Sequence, residues 1–166
     1  MRDAIVEWAE SLPGPLAVVV LAMVPIIELR GAIPVGQEIF GMSRLEAYWW
    51  AVLGNLIPVP FILWLLPPVA GWAERHWDWL HRVIERLSGH TERRHTRRFE
   101  RFRDLALITF VAIPLPITGA WSGSLASYVF GVDKRKSLGL IAIGVLIAGV
   151  VVTLFWEAIG LAGFVE

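Results

Sequence analysis

The apolar positions of this chain fall into two kinds of run: short ones stopped by proline, and long ones free of charge. Leu16 to Val24 is the first short run. As a helix it would span about 14 Å, roughly half the hydrocarbon thickness of a bilayer, so it cannot cross alone. Pro25 ends it, Glu28 and Arg30 follow, and "AIPVGQEIFG" returns through a second short piece to a turn at Gly41. The arrangement recurs from Leu105, with an apolar run to Ile113, then "PLPITGAWSGS", then "LASYVFG". Each short pair precedes a long apolar run, Ala47 to Leu66 and Leu138 to Trp156. Both long runs are close to the roughly 20 residues that cross a membrane.

The two halves overlay with a shift of 90 residues, which places Phe40-Gly41 on Phe130-Gly131 and "LGNLI" (53–57) on "IGVLI" (143–147). This suggests an internal duplication. Two topologies are compatible with it: four plain spans, or two re-entrant hairpins that enter and leave on one side, each followed by a span. Charge separates them. In the hairpin arrangement the nine arginines between Gly71 and Asp104 share a face with Lys134, Arg135 and Lys136, against Arg2 and Arg44 opposite. That is the stronger positive-inside bias. It also makes the halves antiparallel, an arrangement found in transporters.

The fold expected is therefore an all-α integral membrane protein of two inverted repeats, each a re-entrant helical hairpin plus a transmembrane helix, with an amphipathic cytoplasmic linker. Within one membrane domain the segments are an interfacial N-terminus (1–15), hairpin one (16–42), a span (46–68), the basic linker (69–104), hairpin two (105–131) and a second span (138–163). The protein is expected in the cell (inner, cytoplasmic) membrane, with both termini outside.

Composition agrees. Hydrophobic residues make up 56% of the chain and charged ones only 18%, which is not the balance of an ordinary soluble domain. The absence of cysteine removes disulfide and thiolate chemistry. Acidic residues ahead of the first apolar run argue against a cleaved signal peptide. In the linker, Val69, Trp72, Trp77 (with His76), Leu80, Val83, Ile84 and Leu87 recur at three- and four-residue intervals, which predicts an amphipathic helix in the headgroup layer. A second, very polar helix should run from about Thr91 into hairpin two. "RRHTRRFERFR" lies in a linker whose nine arginines are mixed with six acids, so anionic headgroups fit it better than nucleic acid. His76, His81, His90 and His95 are spaced poorly for metal, and no Ser/His/Asp, phosphate-loop or metal-hydrolase pattern is present, so no enzyme is expected.

Glu28 and Arg30 are the first candidate site. They could be a mutually neutralising pair or part of a surface turn. Yet ionisable groups at membrane depth are expensive and usually line a pathway or meet a partner. On an unwound apex they need not face each other. Arg30 could then hold an anionic group, and Glu28 could carry a proton. The second candidate is "PLPITGAWSGS", in which Pro114, Pro116, Gly119 and Gly123 oppose a regular helix and would leave backbone groups to be met in a cavity, unless the stretch is a loop outside the membrane. Thr118, Ser122 and Ser124 add hydroxyls, and Trp121 could stack or anchor. Asn55 and Gln37 are the remaining polar groups at depth, Asn55 more readily as a link between helices. Gly139, Gly144, Ala148 and Gly149 give the last helix a small-residue face for close packing.

"ELRGAIP" (28–34) and "PLPITGAWSG" (114–123) resemble the two signature stretches of the small multidrug export family, which belongs with the DedA-like membrane proteins. The similarity runs from about Leu16 to Gly160. The resemblance implies two re-entrant hairpins and an association with lipid-linked phosphate translocation or proton-dependent export. Glu28 matches the acidic position of the first hairpin, and Gly31 and Pro34 match its turn. The second hairpin lacks the arginines of the DedA group, since none lies between Leu105 and Val132.

The function expected is a small transporter of an amphipathic substrate, a lipid-linked phosphate or a drug-like molecule, assembled as a homodimer. Its candidate substrate and proton site comprises Glu28, Arg30, Gly31, Pro34, Asn55, Pro114, Pro116, Thr118, Gly119, Trp121 and Gly123. Its partners are membrane lipids, and no cofactor beyond a proton gradient is expected. A membrane scaffold acting through the basic linker and a passive lipid scramblase are the competing readings.

Overall fold

Proline and glycine decide where these helices stop. The computed structural model describes residues 12–76, 97–115 and 118–161, and every regular element among them is an α-helix. In chain order these are α1 (Gly14–Met23), α2 (Glu28–Glu38), α3 (Arg44–Leu56), α4 (Pro58–His76), α5 (Arg97–Ala112), α6 (Ala120–Val129) and α7 (Lys134–Leu161). They form two compact units, one of residues up to Ile57 together with those from Val145 onward, the other of Pro58–Gly144.

In the first unit, α1 ends at Met23 because Pro25 drives Val24 into an extended conformation (φ −76, ψ 125). α2 then folds back alongside α1, so that Gly14 lies against Phe40 and Met42. Gly41, at φ 59, closes α2 in the left-handed conformation that a residue with a Cβ resists, and the amide of Met42 caps the carbonyl of Gly36 at 3.0 Å. Ser43 opens α3 with a reciprocal cap: its hydroxyl accepts from the Glu46 amide, and the Glu46 carboxylate accepts from the Ser43 amide. α3 packs on both α1 and α2. The core is made of small residues, with Ala17, Ala22, Ala32, Ala47 and Ala51 all fully buried around Val18 and Ile33. Gly54 permits the tightest approach, since a Cβ there would stand 2.8 Å from Cα of Val19. The later part of α7 belongs to this unit, where Tyr48 donates to the carbonyl of Leu146 (3.1 Å).

In the second unit, α6 packs against α4 and α5. Gly131 (φ 62) closes α6, Asp133 caps α7 by accepting from the amides of Arg135 and Lys136 (2.9 and 3.3 Å), and Gly144 lies against Val111 and the carbonyl of Ile108. Gly41, Ser43 and Gly54 thus have counterparts 90 residues later in Gly131, Asp133 and Gly144, each with the same local role. The heads of α3 and α7, at Arg44 and Lys134, differ by the same 90. The 90-residue shift read from the glycines thus recurs in local caps and contacts.

Arg44–Ala73 and Lys134–Leu161 are long and apolar enough to cross a membrane. Large apolar side chains stay on the outside of the helices: Trp64, Phe61 and Phe155 are each about two-thirds exposed (67%, 68% and 66%). A soluble monomer rarely leaves such a surface uncovered. α4 continues through Pro67 and Pro68 to His76, so no helix end marks the expected start of the linker. Only the beginning of the predicted amphipathic segment is described, with Trp72 stacked on His76 at 4.4 Å; the rest lies outside the described residues. From Arg97 onward α5 carries its polar residues straight into its apolar ones, and the start expected near Thr91 lies outside the described residues. Of the small-residue face on α7, Gly144, Ala148 and Gly149 are buried, whereas Gly139 faces open space.

Candidate functional site

The first candidate site grows out of the break at Pro25. The amides of Ile27 and Glu28 both reach back to the carbonyl of Val24 at 3.0 Å, which turns the chain within residues 24–27. Glu28 and Arg30 are therefore in the first turn of α2 and not on an unwound apex. The unwinding expected from two prolines is confined to the first, because Pro34 sits inside α2 and removes a single helical hydrogen bond. That bond is the one to the carbonyl of Arg30, which is left without its helical donor.

Glu28 is the unusual residue. It is 6% exposed and takes φ 46, the one non-glycine residue in the left-handed region among those described. For a side chain with a Cβ this costs on the order of 1–2 kcal/mol, and such strain is concentrated at functional sites. Arg30 folds back over the break, its Nη2 donating to the carbonyl of Ile26 at 3.1 Å. Its Nε is buried and makes no hydrogen bond.

Arg30, Pro34 and Gln37 lie at i, i+4 and i+7, one stripe along α2. Nε2 of Gln37 is also buried without a partner. On α3, Asn55 is 1% exposed and its Oδ1 has no partner either. Buried polar atoms are normally satisfied, so three such atoms in the first unit leave donors and an acceptor for water or a polar solute. Gly31 continues the first turn of α2, its amide donating to Ile27 at 3.1 Å. Glu28, Arg30, Gly31 and Pro34 are thus gathered on two turns of α2, and Asn55 stands on the helix packed against it. Gln37 was recognisable only as a polar residue at depth; its place in the stripe needs α2 to be a helix through Pro34.

The second candidate stretch is more regular than its prolines and glycines predict. The break extends only from Ile113 to Gly119, and α6 begins at Ala120 and includes Trp121, Ser122, Gly123 and Ser124. Both prolines precede it, and Gly123 serves as a contact surface for Val111 and not as a breaker. Gly119 takes φ 157 at the head of α6. Thr118 closes the break: its hydroxyl donates to the carbonyl of Ile113 and accepts from the amide of Leu115. Pro114 is half-buried beside it, Trp121 is half-buried on α6, and Pro116 lies outside the described residues. The serine hydroxyls return to their own helix, Ser124 to the carbonyl of Ala120 (2.7 Å) and Ser127 to that of Ser124 (2.8 Å). In this second unit the hydroxyls serve the backbone, whereas in the first Arg30 Nε, Gln37 Nε2 and Asn55 Oδ1 have no hydrogen-bond partner.

A family model described as "Putative small multi-drug export protein" matches residues 28–151. The chain belongs to this family. The match opens on Glu28 itself and runs through both breaks into α7. Neither a curated protein nor a solved structure matches the chain.

Proposed function

We propose that this protein is a small membrane transporter that moves an amphipathic substrate, a drug-like molecule or a lipid-linked phosphate, with Glu28 as its proton carrier. The observation that carries this reading is the buried Glu28 carboxylate, held at φ 46 where the family match begins, on a helix whose Arg30 and Gln37 leave buried donors open. Arg30 offers a guanidinium to an anionic group, and the Arg30 carbonyl released by Pro34 offers an acceptor beside it. Glu28 balances Arg30 when ionised and leaves a net positive charge when protonated, so proton uptake and anion binding favour each other.

Helix lengths support a re-entrant topology. α1 has 10 residues and α2 has 11, about 15 Å each and half of a hydrocarbon core, and they run back to back. Each hairpin then enters and leaves on one side, and the single span after it inverts the second copy relative to the first. The basic linker lies in the cytoplasm on this reading and the termini outside, and the family sits with the DedA-like membrane proteins.

Reconstitution into proteoliposomes with an imposed proton gradient tests the mechanism. Glu28→Gln abolishes gradient-driven uptake of an amphipathic anionic dye, and Arg30→Ala weakens it. Undiminished coupled uptake by Glu28→Gln removes the proposal. Uptake by the unaltered protein that persists after the gradient is collapsed identifies passive translocation instead.

A further inference from the structure

The second unit carries a charged cluster that the transport site does not use. Lys136 Nζ lies 2.6 Å from Oδ2 of Asp104, which brings the first turn of α7 level with the middle of α5. Arg103 on the same turn of α5 donates from Nη1 to the carbonyl of Phe130 (3.2 Å). Its Nε stands 3.9 Å from Oδ1 of Asp104, within ion-pair reach but too far for a hydrogen bond. These contacts align two polarity boundaries. Beyond them along both helices the large exposed side chains are apolar, among them Leu105, Phe110, Leu138 and Ile143. On the near side Arg101, Lys134 and Arg135 are exposed, with Phe102 among them.

Two of the acids here are already engaged. Asp104 is held by Lys136, and Asp133 accepts the first amides of α7. The exposed cations are left to face outward at the level where the surface turns apolar. The equivalent end of the first unit is built oppositely: Glu38, Glu46 and Glu157 outnumber Arg44, which is itself paired with Glu157 at 2.6 Å. Two ends with the same caps therefore differ in sign.

We propose that Lys134 and Arg135, with Arg101 and Arg103 beside them, form a docking surface for anionic phospholipid headgroups. Leu105 and Leu138 meet the acyl region below the phosphates, and the Asp104–Lys136 pair fixes α5 and α7 at that depth. This surface selects the leaflet richer in anionic lipid and is independent of what the protein transports.

The test uses the full chain in micelles doped equally with phosphatidylglycerol and phosphatidylcholine, with retained lipid counted by native mass spectrometry. The unaltered protein retains phosphatidylglycerol preferentially. Lys134→Gln with Arg135→Gln lowers that preference by about five-fold for each cation removed, while Arg44→Gln leaves it unchanged. Because the two cations are exposed, unchanged thermal unfolding verifies the fold of the double variant. No preference in the unaltered protein, an equal preference in the double variant, or displacement of the lipid by soluble glycerol phosphate at matched concentration overturns the proposal.

Discussion

Arg44 and Glu157 join the head of α3 to the end of α7 through a 2.6 Å contact between Nε and Oε1. The Arg44 side chain is 70% exposed, so water competes for it and the pair contributes little on its own. One residue earlier, Trp156 donates from Nε1 to Glu38 at 3.2 Å, a second tie at the same end. Arg44→Ala should lower stability by less than about 1 kcal/mol. A double-mutant cycle with Glu157→Ala, read by thermal unfolding in detergent, gives the coupling directly; a value of several kcal/mol would mean that the end is far drier than its exposure implies.

Gly54 and Gly144 should be the least replaceable glycines among those described. A methyl on Gly54 meets the backbone of Val19, which cannot swing aside; on Gly144 it meets the Val111 side chain at 2.6 Å and the Ile108 carbonyl at 3.1 Å. Gly54→Ala is expected to cost about 1–3 kcal/mol by overpacking, and Gly144→Ala somewhat less. Gly139→Ala meets nothing and should be neutral or slightly stabilising through helix propensity. The same unfolding measurement orders the three, and an equal loss at Gly139 would contradict the packing.

At Gly41 and Gly131 conformation and not space is limiting. Nothing lies within 4 Å of a Cβ at either, yet both have φ near 60°. Alanine at each should cost about 1 kcal/mol, while asparagine, which visits this region more readily, should cost visibly less. Comparison of the two substitutions at both positions also tests the repeat, because the paired sites should respond alike.

Glu28 allows function to be separated from stability. Glycine relieves the strain of φ 46, so Glu28→Gly should fold at least as well as the unaltered protein while losing gradient-driven uptake. Glu28→Gln keeps the backbone strain and loses only the charge. A variant Glu28→Gly that unfolds readily would show that the contacts of the side chain outweigh the backbone strain.

The breaks were legible in the sequence because proline acts locally. Pro25 forces Val24 out of the helix whatever surrounds it, and Gly41 and Gly131 mark turns that few other residues make easily. What local rules could not reveal is how far helix resumes afterwards. Gly119 and Gly123 so close together argue for continued disorder of the backbone, but Gly123 is helical because Val111 of α5 fills the space beside it. Pro34, Pro67 and Pro68 likewise remain inside helices. The stripe of Arg30, Pro34 and Gln37 was hidden for the same reason, since a helical period cannot be read through a proline expected to interrupt it. The polarity boundary on α5 and α7 needed the Lys136–Asp104 contact, which spans 32 residues of sequence.

The 90-residue correspondence also puts Thr118 where Glu28 stands, at the return from each break. One break is therefore ionisable, and the other, from Ile113 to Gly119, contains no titratable side chain. A voltage across the bilayer would have a handle on the first and nothing to pull on the second. The two matching stretches share a scaffold, and only the first carries an electrical lever.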